Sequence, residues 1–144
     1  MTKLLIGCHY LIHQSYLHQR YPNEQIPQRG DEMSKTVYIA SPYTKGDVAV
    51  NVRESILMAE KLRFLGYLPY CPLWTHFWHF LSPHEYEYWT GMDLEWLEIC
   101  DCLLRLPGES SGADNEVAYM LKLGKPVFYS IKDLIDSDEV QSDL

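Results

Sequence analysis

Apolar and polar positions change rhythm near residue 35. Upstream, HQSYLHQRYPNEQIPQRGDEMSK is polar, rich in Gln and His, and holds no sustained period. Downstream, short apolar runs alternate with longer stretches whose apolar residues recur every three or four positions, the signatures of strand and helix respectively. TVYIA predicts a buried strand that stops at SPYTKGD. Asp47 then predicts an N-cap for a helix with the stripe Val48, Val52, Ile56, Ala59 and Leu62, ending at Gly66. YLPYCP predicts a second strand, weakened by Pro69. The aromatic-rich LWTHFWHFLSPHEYEYWTGMDLEWLEIC predicts two helices, with Ser82-Pro83 closing the first and opening the second. DCLLRLP is the third strand, GADNEVAYMLKLG the next helix, KPVFYS the fourth strand and IKDLI a last short helix.

Strands that alternate with helices imply right-handed crossovers and a parallel sheet covered on both faces. The expected class is an α/β three-layer sandwich with a mostly parallel sheet of four to five strands, flavodoxin/Rossmann-like. Of the 144 residues, 1–34 read as a weakly ordered or docking N-terminal extension and 35–144 as one domain. Ligands of such sheets gather at the carboxyl ends of the strands. Here those ends are ASPYTKGD, CPLWTH and LPGESSGA.

Composition narrows the partners. Apolar residues make up 47% and charged residues 22%, as in an ordinary globular chain. A net charge of −8 disfavours a nucleic acid polymer or an anionic membrane, both of which call for a basic face. The four cysteines form no CxxC pair and read as reduced thiols of a cytoplasmic protein. No apolar run approaches the roughly 20 residues that span a bilayer. KLLIGCHYLIH lacks the small-residue cleavage site of a signal peptide.

Two carboxylates stand out. On the wheel of the helix opened by Gly112, residues Ala113, Val117, Met120 and Leu121 share a face, and Glu116 lies at its edge. A dipole-favoured acid near a helix start explains that position as readily as a chemical role does. Asp93 is sharper: it falls among Trp89, Met92, Trp96, Leu97 and Cys100, where an ion costs several kcal/mol unless compensated. Either it caps a loop or pairs with a buried donor such as Tyr38, or it is an acid with a raised pKa in a cleft. GESSGA offers Ser110, Ser111, Gly112 and Ala113 at a helix start, an arrangement that receives phosphate as well as making ordinary turns. His76 and His79 complete no zinc pattern, so no metal is expected. Neither GxGxxG nor GxxxxGK[ST] is present.

The order and spacing of several short motifs resemble the nucleoside 2-deoxyribosyltransferase-like superfamily, which includes 2′-deoxynucleoside 5′-phosphate N-hydrolases and bacterial and phage relatives. The motifs are VYIASPYT, a helix carrying Asn51, GYxPxxP, WxxxD, CDxLLxLPG, SxGAxxE and GKPVF, spread over residues 36–130. The resemblance implies that Glu116 is the nucleophile at C1′ of the sugar, that Asp93 meets the base and assists its departure, and that Tyr38 orients the glutamate. Ser110 matches the serine of the phosphate-using hydrolases rather than the aspartate of the transferases, which points to a nucleoside 5′-monophosphate. The first loop lacks the hydrolases' glycine-rich form, and Ser41, Tyr43 and Lys45 are its candidate substitutes. Glu116 is expected to stay ionised and Asp93 to hold its proton longer. The resemblance further implies a nucleotide or nucleoside ligand, no cofactor, and a homodimer or higher homo-oligomer, for which the aromatic surplus of residues 74–89 supplies a surface. A non-catalytic nucleotide-sensing module and a phage-type interaction domain are the alternatives on the same fold.

Overall fold

The computed structural model describes residue 19 and residues 34–142. The expectation for the N-terminal extension lies outside the described residues, apart from Gln19 and Ser34. Four strands, β1 (Thr36–Ala40), β2 (Leu68–Tyr70), β3 (Cys102–Arg105) and β4 (Val127–Phe128), form one sheet in the order β2-β1-β3-β4. Every pairing is parallel, with Tyr38 in register with Tyr70 on one side and with Leu103 on the other. The helices are α1 (Val48–Phe64), α2 (Thr75–Leu81), α3 (Tyr86–Ile99), α4 (Ser111–Lys122) and α5 (Ile131–Ser142). The α/β class and the parallel sheet expected from the alternation are therefore present.

The period of two along β1 divides the core. Val37 and Ile39 join Ala59, Leu62, Cys102, Leu104 and Leu134 on the face covered by α1 and α5. Tyr38 and Ala40 join Leu97, Leu103, Ala113 and Met120 on the face covered by α3 and α4. Each fully buried Leu or Met side chain contributes about 1.5–3 kcal/mol by leaving water. Lys125 fixes the end of α3, because its Nζ donates to the carbonyls of Leu97, Glu98 and Cys100 at 3.4, 2.5 and 2.7 Å. A cation there also suits the negative end of the helix dipole.

Several local expectations change. Asp47 caps α1 by accepting from the Val50 amide at 3.1 Å, as the sequence indicated. The buried stripe, however, runs through Ser55 rather than Ile56, which is 41% exposed. Ser55 is tolerated inside because its hydroxyl donates to the Val52 carbonyl at 2.8 Å. Helix α3 starts at Tyr86 and not at Pro83, with Ser82 as the C-cap of α2. Helix α4 is capped by Ser110, whose Oγ accepts from the Ala113 amide at 3.2 Å. The last helix extends to Ser142, well past IKDLI.

Candidate active site

The carboxyl ends of β1 and β3 and the segment after β2 open into one cavity of about 710 Å³, within the size range of small-molecule sites. Ser41 and Tyr43 line it from the β1–α1 loop, Asp93 from α3, and Glu116 from α4. Ser110, Gly112 and Ala113 line it at the start of α4, whereas Ser111 is not among the lining residues. On the far side, His76 and His79 of α2 and Trp89 of α3 form an aromatic wall. Most of the residues singled out in the sequence thus share one space, although 75 positions separate Ser41 from Glu116.

Glu116 is fixed by the sheet. The Tyr38 side chain lies on the α3/α4 face of β1, and its Oη donates to Glu116 Oε1 at 2.8 Å. Tyr38 therefore satisfies Glu116 and not Asp93, on which the Tyr70 phenol bears instead. Burial pushes the Glu116 carboxyl up to about 8, with the Asp93 charge adding to it and the Tyr38 hydrogen bond and Arg105 opposing it. Burial likewise raises Asp93, to about 6, with the Tyr70 phenol opposing. These directions reverse the expected order: Glu116 is the more reluctant to ionise. The helix start was expected to keep it charged, but the loss of water around a side chain wedged against Tyr38 outweighs the dipole.

The two loops that frame the cavity are built rather than loose. Asn51 donates from Nδ2 to the carbonyls of Tyr43 and Lys45, each at 2.8 Å. Tyr43 Oη and His76 Nδ1 meet at 2.8 Å, which ties the β1–α1 loop to α2. The Ser41 hydroxyl is buried without a hydrogen-bond partner among the described residues, and it borders the cavity. A residue the sequence did not single out, Arg105, organises the second loop. It donates to the carbonyls of Leu106 and Gly108, the latter at 2.8 Å, and to Asp114 Oδ1 at 2.9 Å. Its signal was a charge inside the apolar run CLLRLP, and it is only 8% exposed. Gly108 adopts φ +116°, and a Cβ there would come within 2.8 Å of Pro42 Cγ, so the two loops touch where only glycine fits.

Tyr70 was missed as well, because YLPY reads as an ordinary strand. Its ring stacks on Trp96 at 4.2 Å and 16°, and leans on Tyr38 at 5.6 Å. Trp89 donates from Nε1 to His79 Nδ1 at 2.9 Å, which leaves the neutral His79 ring with its proton on Nε2. Among the described residues, no three His, Cys, Asp or Glu side chains are grouped so as to hold a metal ion. No helix of the described residues is long and apolar enough to cross a membrane.

A cavity that presents two carboxyls with raised pKa values, one of them gripped by a tyrosine, can pair an acid with a nucleophile on either side of a scissile bond. Comparison with known proteins places the scaffold. No curated protein matches the chain. The structure of a 2-deoxyribosyltransferase from the psychrotolerant bacterium Bacillus psychrosaccharolyticus aligns with a TM-score of 0.51 at 22% identity, covering 72% of this chain and 80% of that one. At that identity the likeness speaks for a shared fold, the level at which the motif resemblance is supported. The family model described as Domain of unknown function (DUF7768) matches residues 35–130, two thirds of the sequence and both framing loops. The chain belongs to that family.

Proposed function

We propose that the protein cleaves the N-glycosidic bond of a nucleoside 5′-monophosphate, with Glu116 as nucleophile and Asp93 as general acid. The observation that carries this reading is the placement of Glu116, held by Tyr38 at 2.8 Å, in the same cavity as Asp93. Breaking a C1′–N bond builds positive charge on the sugar and negative charge on the departing base. A carboxylate at C1′ answers the first, and a proton from Asp93 answers the second. The bonding electrons leave with the base nitrogen, Glu116 takes up C1′, and water or a second base then receives the deoxyribosyl group. Hydrolysis and transfer differ only in that acceptor. The start of the twelve-residue helix α4, at Ser110, Gly112 and Ala113, is the seat for the 5′-phosphate. His76, His79 and Trp89 offer flat walls to the base. Tyr38 acts by orienting Glu116, and Ser41 and Tyr43 contact the sugar or phosphate. No cofactor enters the reaction. The reading extends to a cytoplasmic homodimer or higher homo-oligomer.

The test is a panel of ribo- and deoxyribonucleoside 5′-monophosphates and their free nucleosides, assayed for released base. Release from a monophosphate, lost in Glu116→Ala, is the expected result. Intact substrates throughout, or a Glu116→Ala protein as active as the wild type, would remove the proposal.

A further inference from the structure

Among the described residues, Tyr70 behind the cavity has a buried hydroxyl that is left over. Its Oη is buried and has no hydrogen-bond partner among the described residues. A buried phenol without a partner is costly, and a protein keeps one where its partner appears in another state of the site. The ring has little freedom to seek a different one. It is clamped by Trp96 on one face, by Tyr38 beside it in register on the sheet, and by the edge of Trp74. Asp93 and Trp96 are three apart on α3, hence neighbours on one helix face, so Asp93 stands beside the residue that stacks on Tyr70.

On the reading of the site given above, we propose that Tyr70 is a positioning residue for Asp93, its phenol donating a hydrogen bond to the Asp93 carboxylate after that acid has passed its proton to the base. As the C1′–N bond breaks, its electron pair goes to the base nitrogen and the Asp93 proton follows. Glu116 forms the bond to C1′, and Tyr70 keeps its own proton throughout. Burial, and after it the Asp93 charge, hold the phenol well above the ordinary tyrosine range, so it remains a donor. No hydrogen bond between the two is formed in the structure, but the phenol already opposes the upward push of burial on Asp93. Other groups bear on this carboxyl. The Asp93 charge in turn bears on Glu116 and Tyr38, and His76, His79 and Tyr119 line the cavity it faces. His79 meets the same helix through Trp89, edge-on and by a hydrogen bond, whereas Tyr70 stacks flat on Trp96.

The experiment compares the full-length wild type with Tyr70→Phe, which deletes the oxygen and keeps the ring. Loss of a hydrogen bond to the charged form raises a carboxyl pKa. The Asp93 carboxyl, followed by 13C NMR, is expected to titrate about one unit higher in the variant. The ascending limb of the pH–rate profile moves up with it. A residue that merely packs would lower the rate at every pH and leave that limb in place. In the wild type, the Tyr70 Cζ resonance is expected to change through the Asp93 midpoint, a readout that needs no variant to fold. An unmoved Asp93 midpoint, or a Tyr70 Cζ resonance flat across it, overturns the proposal. If the wild type releases no base, the glycosidase reading falls, while both NMR titrations still test the contact.

Discussion

Removing the hydroxyl of Tyr38 probes the proposed chemistry most directly. With Glu116 at about 8 and Asp93 at about 6, the form that reacts, ionised Glu116 beside protonated Asp93, is the minor arrangement of a shared proton. Activity then plateaus between the two values, rising through the lower and falling through the upper. Tyr38→Phe deletes the 2.8 Å bond to Glu116 Oε1 and leaves the packing of the ring on the α3/α4 face. A hydrogen bond to a charged group is worth ~1.5–3 kcal/mol, hence roughly 1–2 pH units. The Glu116 pKa rises by that much, the reactive population falls about 10–100-fold, and the descending limb shifts to higher pH by the same 1–2 units. Base release measured from pH 5 to pH 10, with circular dichroism to verify folding, reads both effects. A descending limb that stays put while the rate drops would show that Tyr38 acts on something other than the ionisation of Glu116, and the assignment would be withdrawn.

Two further outcomes concern stability. Because the folded-state pKa values of Glu116 and Asp93 lie above the ordinary 4.5 and 3.8, the folded protein binds more protons than the unfolded one, and stability falls as pH rises through that window. Glu116→Gln removes one of the two groups, so its Tm is expected to match the wild type near pH 4 and to exceed it by a few degrees at pH 8.5 (roughly 1–2 kcal/mol); equal Tm values at both ends would contradict the burial of a reluctant carboxyl. Arg105→Gln leaves the Leu106 and Gly108 carbonyls without their donor, at an expected cost of about 1–3 kcal/mol in urea unfolding, and a loss under about 0.5 kcal/mol would mean that the loop does not depend on it.

Much of the site was legible because its residues violate the local pattern. Asp93 interrupts an apolar helix face, and that conflict alone marked it as compensated or functional. Glu116 was ambiguous on the wheel, since acids near helix starts are common, and the motif resemblance gave it a chemical role. Tyr70 and Arg105 escaped for opposite reasons. Tyr70 looks like any strand aromatic until the register sets it beside Tyr38 and Trp96. Arg105 was visible as a charge inside a strand, yet its partners are carbonyls of the loop that follows, which no side-chain pattern encodes.

The sequence by itself determined the alternation of strand and helix, the two-faced core of β1 and the parallel sheet, because side-chain period and short-range capping are properties of neighbouring residues. Only the tertiary structure decided which carboxyl gives up its proton first, which donor each one meets, and where the loops touch. Those outcomes depend on how much water folding leaves around a group and on dipoles brought near from distant positions. The order of ionisation expected for Glu116 and Asp93 was reversed for that reason: a helix wheel locates a side chain around an axis, whereas desolvation follows from what the rest of the chain stacks against it.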